Sequence, residues 1–160
     1  RPIFLLGNHE QILLDAWDGS RSILPLFHRA GGRETLASYG VDPADYDRWD
    51  FEELSAQVRR RVPRRHIDFV RSFGLHHRSG DYLFVHAGIR PGVAIEDQRR
   101  EDLLWIRQDF TDFGGDHGVV VVHGHSRRRR VPLAFTNPTA FAFFTNPLRL
   151  GPLPFLVPPY

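Results

Sequence analysis

The stretch Ile3-Phe4-Leu5-Leu6-Gly7-Asn8-His9-Glu10 decides how this chain is read. Four apolar residues predict a short buried strand. The glycine after them lets the backbone turn sharply, and an amide, an imidazole and a carboxylate follow in succession. The arrangement recurs twice. Tyr82 to Val85 runs into His86-Ala87-Gly88, and Val119 to Val122 runs into His123-Gly124-His125. Ligands of open α/β sheets bind beyond the carboxyl ends of the strands. Three strands ending in this way predict one rim that carries Asn8, His86 and His125.

The chemistry of that rim follows from what the chain lacks. With no cysteine among 160 residues, disulfides and thiolate metal sites are excluded, and a metal must be held by His, Asn, Asp or Glu. Neutral imidazole and amide oxygen suit divalent ions such as Mn, Fe and Zn. Two such ions about 3.5–4 Å apart can clamp a phosphate and activate water near neutral pH. His9, next to one candidate ligand, is placed to protonate a leaving oxygen, and an arginine is needed to neutralise the phosphate oxygens. Each residue alone has an ordinary reading. A strand-end histidine is usually a surface group, and an asparagine after glycine is usually a turn residue. These ordinary readings do not account for three strand ends of the same form. His76 and His77 read as hairpin residues, and His28, His66 and His117 as surface residues.

Around these motifs the pattern alternates between helix and strand. Gln11 to Trp17 has helical spacing. Ser20 to Tyr46 is irregular, with turn signals at Gly31-Gly32, Gly40 and Asp42-Pro43. Asp50 followed by Glu53 resembles a capping box, and Phe51, Leu54 and Val58 continue it at helical spacing. Pro63 opens a second helix with Ile67, Val70 and Phe73 on its apolar face. Leu75 to Arg78 and Tyr82 to Val85 predict a hairpin around Ser79-Gly80-Asp81. Arg99 to Arg107 predicts a short helix, and Val119 to Val122 a strand buried on both faces.

Composition fits an ordinary globular protein, with 41% hydrophobic and 25% charged residues, enough to bury a core. No apolar run approaches the roughly 20 residues that span a bilayer, and the start does not read as a signal peptide, so a cytoplasmic location is expected. A net charge of +2 does not demand a nucleic-acid partner. All 21 basic residues are arginine, which reads as a compositional bias. No methionine occurs, so the chain is expected to start inside a longer protein. From Val131 onward, prolines and phenylalanines dominate and Arg149 is the one charged residue. This tail, residues 127–160 with the run Arg127 to Arg130, is expected to be irregular and to be read in a shifted frame.

Together these residues resemble a known family, the calcineurin-like metallophosphoesterases, in their bacterial Ser/Thr protein phosphatase branch. Gly7-Asn8-His9-Glu10 looks like one motif block, and His86-Ala87-Gly88-Ile89-Arg90-Pro91-Gly92 like the next. Asp102-Leu103-Leu104-Trp105-Ile106-Arg107 and Val122-His123-Gly124-His125 resemble the two that follow. Gly31-Gly32 with Thr35 to Gly40 is similar to a stretch of the bacterial members. The resemblance covers residues 1–126. It implies an α/β fold in which a central β-sandwich is flanked by helices, with a dimetal site at the strand ends, here N-terminally incomplete. It also implies that Asn8, His86 and His125 bind one metal, that His9 is the general acid and that Arg107 binds phosphate; His123 is not a family ligand. The implied cofactors are two divalent ions, manganese first, with iron or zinc as alternatives. The implied reaction is hydrolysis of a phosphoprotein by metal-activated water. Symmetrical dinucleoside tetraphosphate hydrolysis is the nearest alternative, and a non-catalytic phosphate- or nucleic-acid-binding fragment is a third. The partners implied are a phosphoprotein or small phosphoester, with no membrane and no nucleic acid. The family's Asp-x-His and Gly-Asp-x-x-Asp-Arg-Gly blocks are absent, so the isolated chain is expected to be weakly active or inactive.

Overall fold

A computed structural model describes residues 2–125 and the backbone of residues 140–142. They fall into two compact units: residues 9–72, and residues 2–8 together with 73–125 and 140–142.

The helical unit contains most of α1 (Asn8–Trp17), five short elements and two longer helices. The irregular reach from Ser20 to Tyr46 resolves into α2 (Leu24–Phe27), α3 (Arg33–Ser38) and α4 (Pro43–Tyr46), joined by tight turns. Gly31 sits at a kink with φ 99°, a conformation that suits glycine. α5 (Phe51–Arg61) starts where the cap signal placed it: Asp50 accepts a hydrogen bond from the Glu53 backbone N–H at 2.8 Å. The reciprocal half of a capping box is replaced, because the Glu53 carboxylate accepts from Gln57 Nε2 at 2.8 Å instead. Leu54 and Val58 are buried as expected. Phe51 is 49% exposed, a correction to the periodicity reading, since a first-turn residue lies at the edge of the buried stripe. Replacing Asp50 by alanine should destabilise this unit by about 1 kcal/mol, read as a lower urea midpoint at unchanged slope. α6 (Arg64–Arg71) buries Ile67 and Val70.

The second unit is built on a four-stranded mixed sheet of β1 (His76–Ser79), β2 (Tyr82–Val85), β3 (Val120–His123) and β4 (Ala140–Ala142). Its order is β1-β2-β3-β4. The first pair is antiparallel with Ser79 opposite Tyr82, so Gly80 and Asp81 form the hairpin turn, and Gly80 takes the positive φ of 59° that such a turn requires. β2 and β3 are parallel, and α7 (Arg100–Trp105) and α8 (Gln108–Thr111) lie in the connection between them. β3 and β4 are also parallel, so part of the tail expected to be irregular contributes a strand. One sheet is present among the described residues; the second layer of a sandwich is not among them.

Two strand expectations are corrected. Ile3 to Leu6 forms only a bridge, Leu5 with Gly74, fixed by bonds from Leu6 N–H to Gly74 O at 2.8 Å and from Gly74 N–H to Phe4 O at 3.0 Å. Ile3 and Phe4 are 57% and 45% exposed, so this segment does not bury a strand's worth of apolar surface. β3 is fully buried on one face only. Val121 and His123 point into the core, while Val120 and Val122 are half-buried. The core joins Leu83, Val85, Ala87, Ile89, Leu103, Ile106, Phe110 and Val121. It seats the ends of β2 and β3 side by side. Among the described residues no helix is long and apolar enough to cross a membrane.

Candidate metal site

Asn8, His86 and His125 come together, all within the sheet-bearing unit. Asn8 follows the bridged segment and is 4% exposed. His86 follows β2 and His125 follows β3. The Gly124 N–H donates to the His86 carbonyl at 2.8 Å, so the two strand-end loops are joined by their backbones beside these side chains. Asn8 Oδ1 lies 2.7 Å from His86 Nε2, which lies 3.2 Å from His125 Nδ1. The two imidazole rings meet edge to face with centroids 5.0 Å apart. Trp105 meets the His125 ring in the same way at 6.0 Å.

This grouping has a proton-count problem. His86 Nε2 faces an amide oxygen and a second ring nitrogen at once. Protonated, it must divide a single N–H between two acceptors. Unprotonated, its lone pair meets the amide oxygen head on. A divalent cation resolves the conflict, because amide oxygen and neutral imidazole nitrogens are all metal donors. With bonds of about 2.1 Å at right angles, adjacent donor atoms sit roughly 3 Å apart, and the observed 2.7 and 3.2 Å bracket that value. The residues present therefore fit an ion. Two histidines and an amide make up the group; among the described residues no three His, Cys, Asp or Glu side chains cluster to hold one.

His125 also carries backbone strain. Its φ is 59°, and it is the one non-glycine residue with positive φ among those described. That conformation costs about 1 kcal/mol for an L-residue with a Cβ and persists only where the surroundings impose it.

No family model, curated protein or solved structure matches this chain. The assignment therefore rests on the geometry and on the motifs.

The loop after β2 is held from several directions. Ala87 N–H donates to Leu103 O at 2.9 Å. The Arg90 guanidinium makes a two-pronged contact with Asp102, at 2.9 and 2.6 Å, and reaches Asp109 at 3.0 Å. Gln98 closes both sides of Arg90, accepting from its N–H at 2.8 Å and donating to its carbonyl at 2.9 Å. The hydrogen bonds from Arg90 hold the Asp102 carboxyl below the usual carboxylate range, so this buried charge stays ionised and paired. Arg90 and Asp102 were not singled out from sequence. The available signal was a charged pair flanking two apolar motif segments.

The other expected site residues are His9 and Arg107. His9 is exposed. Arg107 is exposed and works here through its carbonyl, which accepts from Phe110 N–H at 3.0 Å and Thr111 N–H at 2.8 Å. It lines a cavity of about 550 Å³ with Arg90, Asp102, Trp105 and Asp109. His123 is buried against Phe110, with ring centroids 4.8 Å apart, and its Nδ1 lies 3.0 Å from the Gly124 carbonyl. Residues 127–130 lie outside the described residues.

His117, expected at the surface, is half-buried against Phe110 and Phe113, with ring centroids at 5.1 and 5.0 Å. Its Nε2 is buried without a hydrogen-bond partner, and burial lowers its pKa below the ordinary 6.5. The unfolded chain therefore takes up this proton first. Stability is complete above about pH 6.5, falls as pH drops toward the lowered folded value, and then levels. His66, whose pKa is also lowered by burial and by Arg65, adds a loss of the same sign. The melting temperature should fall between about pH 7 and pH 5.5, and His117→Gln should remove part of that slope. An unchanged slope in the variant would assign the effect elsewhere.

Proposed function

We propose that Asn8, His86 and His125 hold one divalent ion of a phosphoester-hydrolysing site of the metallophosphoesterase type, acting on Ser/Thr phosphoproteins. The observation that carries this reading is the convergence of one amide oxygen and two imidazole nitrogens within 2.7 and 3.2 Å. The motif order supports it: Asn-His-Glu, His-Ala-Gly, Leu-Leu-Trp and Gly-His occur in sequence along the chain.

When bound, the ion supplies Lewis acidity toward a phosphate oxygen and lowers the pKa of water. The residues of the chain do the rest. Asn8 and the two imidazoles orient the ion, and the Arg90–Asp102 pair keeps the His86 loop in register. Trp105 shields the His125 ring. By resemblance, His9 gives its proton to the leaving serine or threonine oxygen, and Arg107 pairs with the phosphate oxygens. No Asp-x-His or Gly-Asp-x-x-Asp-Arg-Gly sequence occurs within the 160 residues. The proposal thus assigns ligands for one ion, and weak or no turnover of p-nitrophenyl phosphate is expected from the chain as it stands.

Calorimetric titration with Mn2+ tests the proposal. One ion per chain, lost in Asn8→Ala, supports it; no binding, or binding indifferent to Asn8, His86 and His125, refutes it. In a version carrying both upstream blocks, faster hydrolysis of a phosphopeptide than of diadenosine tetraphosphate supports the phosphoprotein assignment, and the reverse order replaces it with the dinucleotide one.

A further inference from the structure

Residues 59–71 of the helical unit read Arg-Arg-Arg-Val-Pro-Arg-Arg-His-Ile-Asp-Phe-Val-Arg, six guanidinium groups against one carboxylate. All six arginines are exposed. Arg64 and Arg71 share Asp68 at 3.5 and 3.9 Å, and Arg71 also pairs with Asp18. Arg59 donates to the Trp17 carbonyl at 3.2 Å and Arg61 to Gln57 Oε1 at 3.2 Å. Among the described residues no ion pair involves Arg59, Arg60, Arg61 or Arg65.

Over residues 9–72 ten arginines meet eleven Asp and Glu, but few of these carboxylates lie at the α5–α6 corner. Six of the eleven, Asp42, Asp45, Asp47, Asp50, Glu52 and Glu53, lie before α5 or in its first turn, and of the rest Asp18 and Asp68 pair with Arg64 and Arg71. α5 has 11 residues, a length of about 16 Å at 1.5 Å per residue. From Glu53 in its first turn to Arg60 in its last the rise is about 10 Å, a little over one Debye length at physiological ionic strength. The first turn of α6 adds Arg64 and Arg65 and no acid, against the preference of a helix start for negative charge. Such departures from local preference concentrate where a surface has a partner.

The patch also shows what kind of partner it fits. None of the exposed large apolar side chains among the described residues lies between Phe51 and Tyr82, so the corner offers neither a membrane wedge nor an apolar anchor for a protein. Phe69 of α6 is half-buried, and Trp17 has the guanidinium groups of Arg59 and Arg71 over its ring at 5.4 Å and gives its indole N–H to the Val62 carbonyl at 3.3 Å. It is not an open platform for stacking bases, which single-strand binders use. Closely spaced unpaired cations without a stacking surface match a duplex phosphate backbone. We propose that the α5–α6 corner binds duplex nucleic acid through its phosphates, without reading sequence. This departs from the sequence expectation of no nucleic-acid partner, which rested on the net charge of +2 and on Arg127 to Arg130.

Fluorescence anisotropy with a random-sequence duplex, titrated over a range of salt, tests the proposal. Micromolar-range dissociation constants are expected at low salt, with a log–log salt slope of about −3 to −4 for up to four phosphates. The triple variant Arg60→Ala/Arg61→Ala/Arg65→Ala should weaken binding at least about tenfold and reduce the slope by about 2 to 3. The corresponding triple lysine variant should keep both, and circular dichroism checks that the alanine variant is folded. Alanine at Arg127 to Arg130 should leave the contribution of residues 60–65 unchanged. Binding insensitive to the triple variant, tighter binding to single strands, or tighter binding to anionic phosphatidylserine vesicles would overturn the proposal. His86→Ala should bind the duplex normally, so this result stands or falls apart from the metal site.

Discussion

Replacing Gly88 by alanine should be the most destabilising single-methyl change in the sheet-bearing unit. Gly88 has φ 151°, and a Cβ there would lie 2.5, 2.6 and 3.0 Å from three atoms of the Phe110 ring. The ring cannot retreat easily. Phe110 is 1% exposed and packs in the cluster with Leu83, Val85 and Val121. Overpacking of this kind and backbone strain together amount to about 3 kcal/mol, or roughly 10 °C in melting temperature. Gly114→Ala is the control. No atom lies within 4 Å of its added Cβ, so its effect should stay within about 0.5 kcal/mol. Thermal unfolding followed by circular dichroism measures both, and equal melting temperatures for the two variants would contradict the packing described here. The effect should reach the site as well, because Gly88 lies two residues from His86 and loss of its turn releases the loop.

The second large effect concerns affinity. His86 is the middle member of the triad, with Asn8 on one side and His125 on the other. Loss of even an outer partner of a ligand typically weakens metal binding 10- to 100-fold. Loss of the central ligand itself should therefore weaken it by about 100-fold or more. His86→Ala should show this in a Mn2+ titration while keeping its circular dichroism, since His86 is half-buried and is not a core member. His123→Ala should behave in the opposite way. It should lose stability, because His123 is 3% exposed against Phe110, and keep its affinity. A titration in which His123→Ala loses the ion and His86→Ala keeps it would reverse the assignment of the two histidines.

The triad was legible in the sequence because its signal is local. A short apolar run, then glycine, then a polar donor, says where a strand ends and what is presented there. That logic placed β2 correctly and β3 to within one residue. It failed for Ile3 to Leu6, where an apolar run makes a single bridge. Apolar runs record what can be buried, not what finds a hydrogen-bonding neighbour. The same limit applies to Val120 and Val122, whose outer face is only half-covered. Asp50 was read correctly because a cap needs one side chain and one N–H three residues on. Arg90 with Asp102, and His117 between two phenylalanines, were not legible. These contacts join residues four to twelve positions apart through loops, and no periodicity marks such a pairing. The α5–α6 charge was visible in sequence, but its lack of carboxylate partners was not. Six of the unit's acidic residues cluster just before α5 and in its first turn, and only the length of α5 shows how far away they lie.

The central claim is that Asn8, His86 and His125 face a single divalent ion. Electron–nuclear double resonance on the chain loaded with one equivalent of Mn2+ tests it most directly, by counting the nitrogens bound to the ion. Two histidine nitrogens are expected in the native chain, one in His86→Ala or His125→Ala, and two in His123→Ala. An ion with no bound nitrogen, or two nitrogens that survive removal of either His86 or His125, would contradict the account.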